Sequence, residues 1–268
     1  MPVKTIGIIA GNGVFPITVA KAARAEGYRV VVVAHEGECL PEISETADQV
    51  EWIKVGQISR LIASFKENNV TDAVMAGGIK KTRLFGKVRP DFRGIALLAK
   101  IAVNKDDKML RAFADELAGE GIQIRAATEL LSSILAPEGL LTARRLSKAE
   151  DEDVEFAWAM AKEVGRLDIG QCVVVKEKTI LAVEAIEGTD ETIRRGGSLG
   201  REGAVVVKVS KPGQDLRFDL PAVGPGTISV MAEVGARVLA VEAGRTILLD
   251  RENLLDQADK AKISILGR

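Results

Sequence analysis

The chain has 268 residues, 47% of them hydrophobic, with 37 lysines and arginines against 38 acids and a formal charge of -1. That length favours two ordinary domains over one, and the even charge excludes a general nucleic-acid binder, which needs a basic excess. Cys39, Cys172 and the single histidine, His35, exclude a disulfide framework, a thiolate metal cluster and a poly-histidine metal site, and so few cysteines suit a reducing cytoplasm.

The first residues, MPVKTIGIIAGNGVFP, carry an apolar run that glycines break after a few positions. This predicts neither a signal peptide nor a spanning helix. No later apolar stretch reaches the roughly 18 uncharged residues of a membrane span, so any lipid is expected to be met from the water side.

TIGIIA and YRVVVVA read as strands around the helical spacing of FPITVAKAARAEG, a βαβ unit. ISRLIASFKENN follows as a helix and TDAVMAGG as a strand. KDDKMLRAFADELAGEG then forms a helix from Asp106 to a stop at Gly121 before IQIRAA, with Asp106 and Asp107 explained by capping. Such alternation predicts a parallel sheet covered by helices.

Around residues 131–147 Pro137 and Gly139 loosen the pattern. The expected division is a Rossmann-like domain over 1–130, a linker over 131–147 and a second α/β domain over 148–268. Ser147 and Glu150 have capping-box spacing for a new helix, SKAEDEDVEFAWAMAKEVGRL. CVVVKEKTILAVEA predicts a hairpin turning near Glu177 and Lys178, without the favoured Asn-Gly. GAVVVKVS, RFDLPAV, ARVLAVEA and TILLD supply further strands, and GTISVMAEVG and RENLLDQADKA further helices.

Several motifs have chemical meaning. Gly11 and Gly13 in AGNGVFP, between a strand end and a helix start, let a phosphate approach the backbone. The dinucleotide fingerprint wants a third glycine where Pro16 stands, although Glu36 imitates its ribose-binding acid. The 76–94 segment gathers Lys80, Lys81, Arg83, Lys87, Arg89 and Arg93 against Asp91, cations suited to phosphate oxygens or to plain solvation. His35 reads as an ordinary strand-end residue, since no nucleophile elbow accompanies it. A metal, with no histidine set to hold it, would need carboxylates, carbonyls and phosphates, which suits magnesium or manganese.

AVEAIEGTD carries Glu184, Glu187 and Asp190 within seven positions. Strand alternation puts Glu184 and Ile186 on one face and Glu187 on the other. Gly188 permits a sharp turn, and Thr189 or Asp190 can cap the following helix. In KPGQDLRFDLPAVGPGTI, Asp215, Arg217 and Asp219 fall on one side of a strand, as an ion-pair ladder or a carboxylate site organised by arginine.

Together, AGNGVFP, AGGIKK, KDDKML, IGQCVVVKEKTILAVEAIEGTDETIRRGG and KPGQDLRFDLPAVGPGTI resemble the LpxI family, UDP-2,3-diacylglucosamine pyrophosphatases of lipid A synthesis. The match runs nearly end to end, and the two C-terminal blocks are its specific part. The resemblance implies two α/β domains, a homodimer, magnesium, and water attacking the α-phosphorus of a lipid-linked UDP-sugar to give UMP and 2,3-diacylglucosamine 1-phosphate. Peripheral contact with the inner membrane would follow from such a substrate.

The family's essential aspartate falls in FDLP, here Asp219. The expected catalytic set is Asp219, Glu187 and Asp190, with Asp219 and Glu184 on the metal. Gly11, Asn12, Gly13, Gly78, Lys80, Gln171, Gly188, Thr189 and Lys208 are expected to contact substrate. Pro225 and Gly226, where the family varies, are assigned no catalytic work. An NAD(P)-dependent oxidoreductase and a non-enzymatic lipid-binding or regulatory module are the competing expectations; the first predicts no metal requirement and the second no UMP release.

Overall fold

The computed structural model describes residues 3–79, 90–95, 106–212, 215–218 and 220–268. The chain divides into two compact units, Met1–Ser133 with Leu216–Phe218, and Ile134–Asp215 with Asp219–Arg268.

In the first unit, β1 (Thr5–Ala10), α1 (Phe15–Ala25), β2 (Arg29–His35), β3 (Gln49–Ile53), α2 (Ile58–Glu67), β4 (Asp72–Ala76), α3 (Asp106–Gly119), β5 (Gln123–Ile124) and α4 (Ala127–Leu130) follow in order. The sheet order is β3-β2-β1-β4-β5, and every pairing is parallel. Val30 to Ala34 are wholly buried, as expected of a strand covered on both faces. Leu61 and Phe65 of α2 and Leu117 of α3 pack on Val31, Val33 and Ala73.

The second unit runs through β6 (Gly139–Leu140), α5 (Lys148–Arg166), β7 (Cys172–Lys176), β8 (Thr179–Val183), α6 (Thr189–Gly200), β9 (Val205–Lys208), β10 (Ala222–Val223), α7 (Pro225–Glu233), β11 (Val238–Val241), β12 (Ile247–Leu248), α8 (Arg251–Lys260) and β13 (Ser264–Gly267). Six strands order as β6-β13-β11-β9-β7-β8, and β10 pairs with β12 separately. The central strands β9, β11 and β13 are parallel, and β7 runs against β9 and β8. Alternation sorts their residues between two cores. Val173, Val175, Val205, Val207, Val238 and Ala240 meet Val154, Ala157 and Ala161 of α5. Val174, Val206 and Leu239 meet Ile193, Ile228 and Leu254 of α6, α7 and α8 on the other face.

The Ser147–Glu150 capping box forms as expected. The hairpin turns at Glu177 and Lys178, both left-handed, at φ 50° and 55°. Lacking Asn-Gly, the turn is held from outside: the buried Asp153 carboxylate of α5 accepts the Glu177 and Lys178 N–H groups at 2.8 and 2.7 Å. Residues 131–147 contain a 3₁₀ turn at Ser132–Ile134 and β6, which pairs antiparallel with β13.

Three expectations need correction. RFDLPAV is not a strand: Leu216–Phe218 form a turn and only Ala222–Val223 extend. Pro221 separates the two, and Phe218 is partly buried against the first unit's core, so same-side alternation does not apply to Asp215 and Arg217. β8 ends at Val183, with Glu184 buried and Ile186 wholly exposed, so these two do not share a face. Thr189 and Asp190 do not cap α6, because Gly188 (φ 85°) holds that position without a side-chain bond. The strands Gln49–Ile53 and Ser264–Gly267 lie outside the elements expected from sequence.

Candidate functional site

The described members of the predicted site fall in two constellations, one in each unit. In the first, β1 gives way to α1 through Gly11–Val14, beside the point between β1 and β4 where the strand order reverses. Open parallel sheets bind ligands at such a point, beyond the carboxyl ends of the strands. The ladder continues past the strand ends, with Gly11 N–H donating to Ala76 O and Asn12 N–H to Gly78 O, both at 2.8 Å. A Cβ on Gly11 would lie 2.3 Å from Gly78 O, and one on Gly77 2.3 Å from Asn12 O. Glycine at both positions is therefore a condition of the contact. Gly13 needs its freedom differently: its φ is +80°, and a Cβ there would meet nothing within 4 Å.

Beside this loop, the Asn12 side-chain amide reaches the buried Glu38 carboxylate at 3.5 Å, and Gly13 bridges to Cys39. His35 Nδ1 lies 3.1 Å from Ala10 O. Burial holds the imidazole below its ordinary range, against the raising influence of the Ala10 carbonyl and Glu38. Burial also pushes the Cys39 thiol up to about 11, which removes it as a thiolate nucleophile.

The second constellation sits where β7 begins and β8 and β9 end. Cys172 pairs with Lys208 across β7 and β9, Glu184 N–H donates to Cys172 O at 2.9 Å, and Val209 N–H donates to Gln171 O at 2.9 Å. Glu184 ties the group together. One carboxylate oxygen accepts Gln171 N–H at 3.1 Å and the other the Thr189 hydroxyl at 2.9 Å. Gly170 must be glycine for this approach, since a Cβ there would stand 2.0 Å from Glu184 O. Lys208 is buried and donates to Ala222 O at 2.8 Å. The α6 N-terminus opens at Gly188 without a side-chain cap, leaving first-turn N–H groups for an anion. Cys172 is pushed up to about 12 by burial, opposed by Lys208, so it stays a thiol.

Gln171, Glu184, Gly188, Thr189 and Lys208 thus come together, with Asp190 exposed in the first turn of α6. Lys80 and the basic segment through Arg89, the side chains of Asp106 and Asp107, and Gln214 and Asp219 lie outside the described residues. Among the described residues, no group of three or more histidine, cysteine, aspartate or glutamate side chains could hold a metal. No helix among them is long and apolar enough to cross a membrane.

Glu187 serves the turn. Its carboxylate accepts Ala185 N–H at 3.1 Å and the Thr192 hydroxyl at 3.4 Å, and pairs with Arg195. Sequence reasoning missed the Arg195 pairing, because Glu187 precedes the helix and its N-cap Gly188, where helical spacing gives no signal. Hydrogen bonding from its own N–H, and then Arg195, hold the Glu187 carboxyl below the usual range. Because the folded value is depressed, its stabilising effect is present above the ordinary glutamate value of about 4.3 and fades as pH falls through the lower folded value. A carboxyl-carbon NMR titration should place the Glu187 midpoint below that ordinary value, and Arg195→Gln should raise it. A midpoint at the ordinary value in the unmutated protein would refute the pairing.

Residues 5–134 match the LpxI N-terminal domain family and 137–266 the LpxI C-terminal domain family. A Caulobacter vibrioides protein named UDP-2,3-diacylglucosamine pyrophosphatase LpxI is 32% identical over 277 aligned positions, 98% of this chain and 97% of the relative. Among solved structures, N5-carboxyaminoimidazole synthetase from Staphylococcus aureus is 14% identical, with a TM-score of 0.29 over 64% of this chain and 32% of that one. Rhizobium etli pyruvate carboxylase is 14% identical, with a TM-score of 0.30 over 71% and 17%. At such scores neither likeness bears on fold or ligand.

Proposed function

The chain belongs to the LpxI family, and from that premise we propose that it hydrolyses the phosphoric anhydride of UDP-2,3-diacylglucosamine to 2,3-diacylglucosamine 1-phosphate and UMP, in lipid A synthesis. The near full-length match to a relative of that name carries this reading. The same reading takes the protein as a cytoplasmic homodimer that meets the inner membrane surface from the water side.

A diphosphate ester brings negative charge that the site must offset. In this proposal the buried Lys208 and the uncapped N–H groups at Gly188–Thr189 face phosphate oxygens. Glu184 fixes the Thr189 hydroxyl and the Gln171 backbone in place. Asp219 and Glu184 would hold magnesium, an ion that commonly takes one or two carboxylates plus substrate phosphates and so needs no three-residue protein cage. Each Glu184 oxygen has one protein donor, which leaves acceptor capacity for a cation. When bound, magnesium supplies charge neutralisation on the phosphoryl oxygens. The oxidoreductase alternative is disfavoured by Pro16 in the first turn of α1, where the dinucleotide fingerprint needs glycine.

Incubation with UDP-2,3-diacylglucosamine and magnesium should release UMP, and chelator should stop it. No UMP would reject the function; chelator-insensitive release would reject only the metal. In ¹⁸O-water, label in UMP marks attack on the α-phosphorus and label in the sugar phosphate marks attack on the β-phosphorus.

A further inference from the structure

In the second unit β8 stops at Val183, the chain bends through residues 184–187, and α6 opens at Gly188. The N-cap glycine offers no side-chain bond, so the aim of the first-turn N–H groups depends on how this bend is held. Two side chains that the proposed chemistry leaves unused hold it. The Glu187 carboxylate accepts the Ala185 N–H at 3.1 Å and the Thr192 hydroxyl of α6 at 3.4 Å. Arg195, about one turn further along α6, uses a single nitrogen, Nη2, on both sides of the bend: it donates to Val183 O at 2.9 Å and pairs with Glu187. Val183 is the last residue of the strand, and the next one, Glu184, is the group that holds Gln171 and Thr189. The pair is partly exposed, at 49% for the Arg195 side chain and 28% for that of Glu187, so it adds little to global stability. What it does is geometric: strand end, bend and helix are tied at one atom.

We propose that Arg195 and Glu187 are positioning residues that set the phosphate-binding turn at Gly188–Thr189, acting through the bend and touching neither substrate nor the reacting atoms. This rests on the proposed hydrolysis and on its placing of phosphate at that turn. Because those N–H groups meet phosphate oxygens before and during the transfer, a misaimed turn raises KM and leaves kcat near its original value. A Glu187 that moved a proton in the reaction would act on kcat instead.

In the unmutated, substrate-free protein the Ala185 amide proton should exchange slowly for a residue in a turn, because the Glu187 carboxylate holds it. Arg195→Gln should speed that exchange, shift the Gly188 and Thr189 amide resonances of the free protein, and raise KM for UDP-2,3-diacylglucosamine about 3- to 10-fold, the range of one hydrogen bond. Arg195→Lys should restore KM, since one ammonium can serve the two acceptors that one guanidinium nitrogen serves; an arginine gripping phosphate through its planar fork would not be replaced in this way. Adding Glu187→Gln to Arg195→Gln should raise KM no further than the worse single change, because both act through one contact. Amides that stay unmoved in Arg195→Gln overturn the proposal, as do a lysine variant no better than the glutamine one, KM effects that multiply, or a 100-fold fall of kcat in Glu187→Gln. Ala185 exchange is read in the unmutated protein, so fast exchange there overturns the proposal even where a variant fails to fold. UMP release by the unmutated protein separates the two readings: an active enzyme with unmoved amides rejects the positioning role alone, whereas a held turn in an inactive protein rejects the hydrolase.

Discussion

Asp219→Ala should lower the rate of UMP release by about 10²- to 10⁴-fold, the range in which a positioned acid–base or metal-binding side chain contributes, while the protein stays folded. Its place in the FDLP block motivates the substitution. A melting curve and circular dichroism on the same sample separate lost chemistry from lost fold. Asp219→Asn sharpens the test, because it keeps the shape and removes the charge. If charge is what matters, for a cation or for a proton, Asn should fare little better than Ala. A folded Asp219→Ala enzyme with unaltered turnover would remove Asp219 from the chemistry, and the site would have to be rebuilt around Glu184 and Lys208.

Gly11→Ala should be the most damaging small substitution in the first unit. Its new methyl carbon would stand 2.3 Å from Gly78 O and 2.8 Å from the Gly77 carbonyl carbon, and both neighbours are backbone, which cannot rotate aside. Overpacking of this kind costs about 1–3 kcal/mol, so calorimetry should show a melting temperature lower by roughly 2–12 °C. Gly13→Ala is the contrasting case. There the methyl group meets nothing within 4 Å and only the left-handed φ of +80° is penalised, for about 1 kcal/mol. Gly11, Asn12, Gly13 and Gly78 are also expected from the sequence to contact substrate, so Gly11→Ala should raise KM as well. Equal melting temperatures for Gly11→Ala and the unmutated protein would mean that the close approach does not exist in solution.

The parallel sheet of the first unit is legible in the sequence because Ile6 to Ala10 and Val30 to Ala34 are unbroken apolar runs separated by a helical period. Gln49–Ile53 is not, because its residues are mixed and mostly half-buried, as suits a strand at the sheet edge. The final strand, Ser264–Gly267, has an ordinary apolar pattern; only its place between β6 and β11 is nonlocal. At the candidate site, the glycine loop is readable from its spacing, but the necessity of Gly77 is not, since it comes from Asn12 O, far away in sequence. AVEAIEGTD misleads for a related reason. Period-two reasoning assumes that a strand continues, whereas here Glu187 accepts the Ala185 N–H and bends the chain before Gly188. Glu184 consequently points inward to Gln171 and Thr189.

The hairpin β7–β8 has a consequence for how the second unit assembles. Its two left-handed turn residues, Glu177 and Lys178, have side chains ill-suited to that conformation, and the bonds that steady them come from Asp153, more than twenty positions earlier on another element. Such a turn does not nucleate on its own. The hairpin closes only once the helix bearing Asp153 has docked, so this part of the chain trades a fast local step for a slower one that must first close a long loop. Helix and hairpin therefore enter the folded state as one cooperative block.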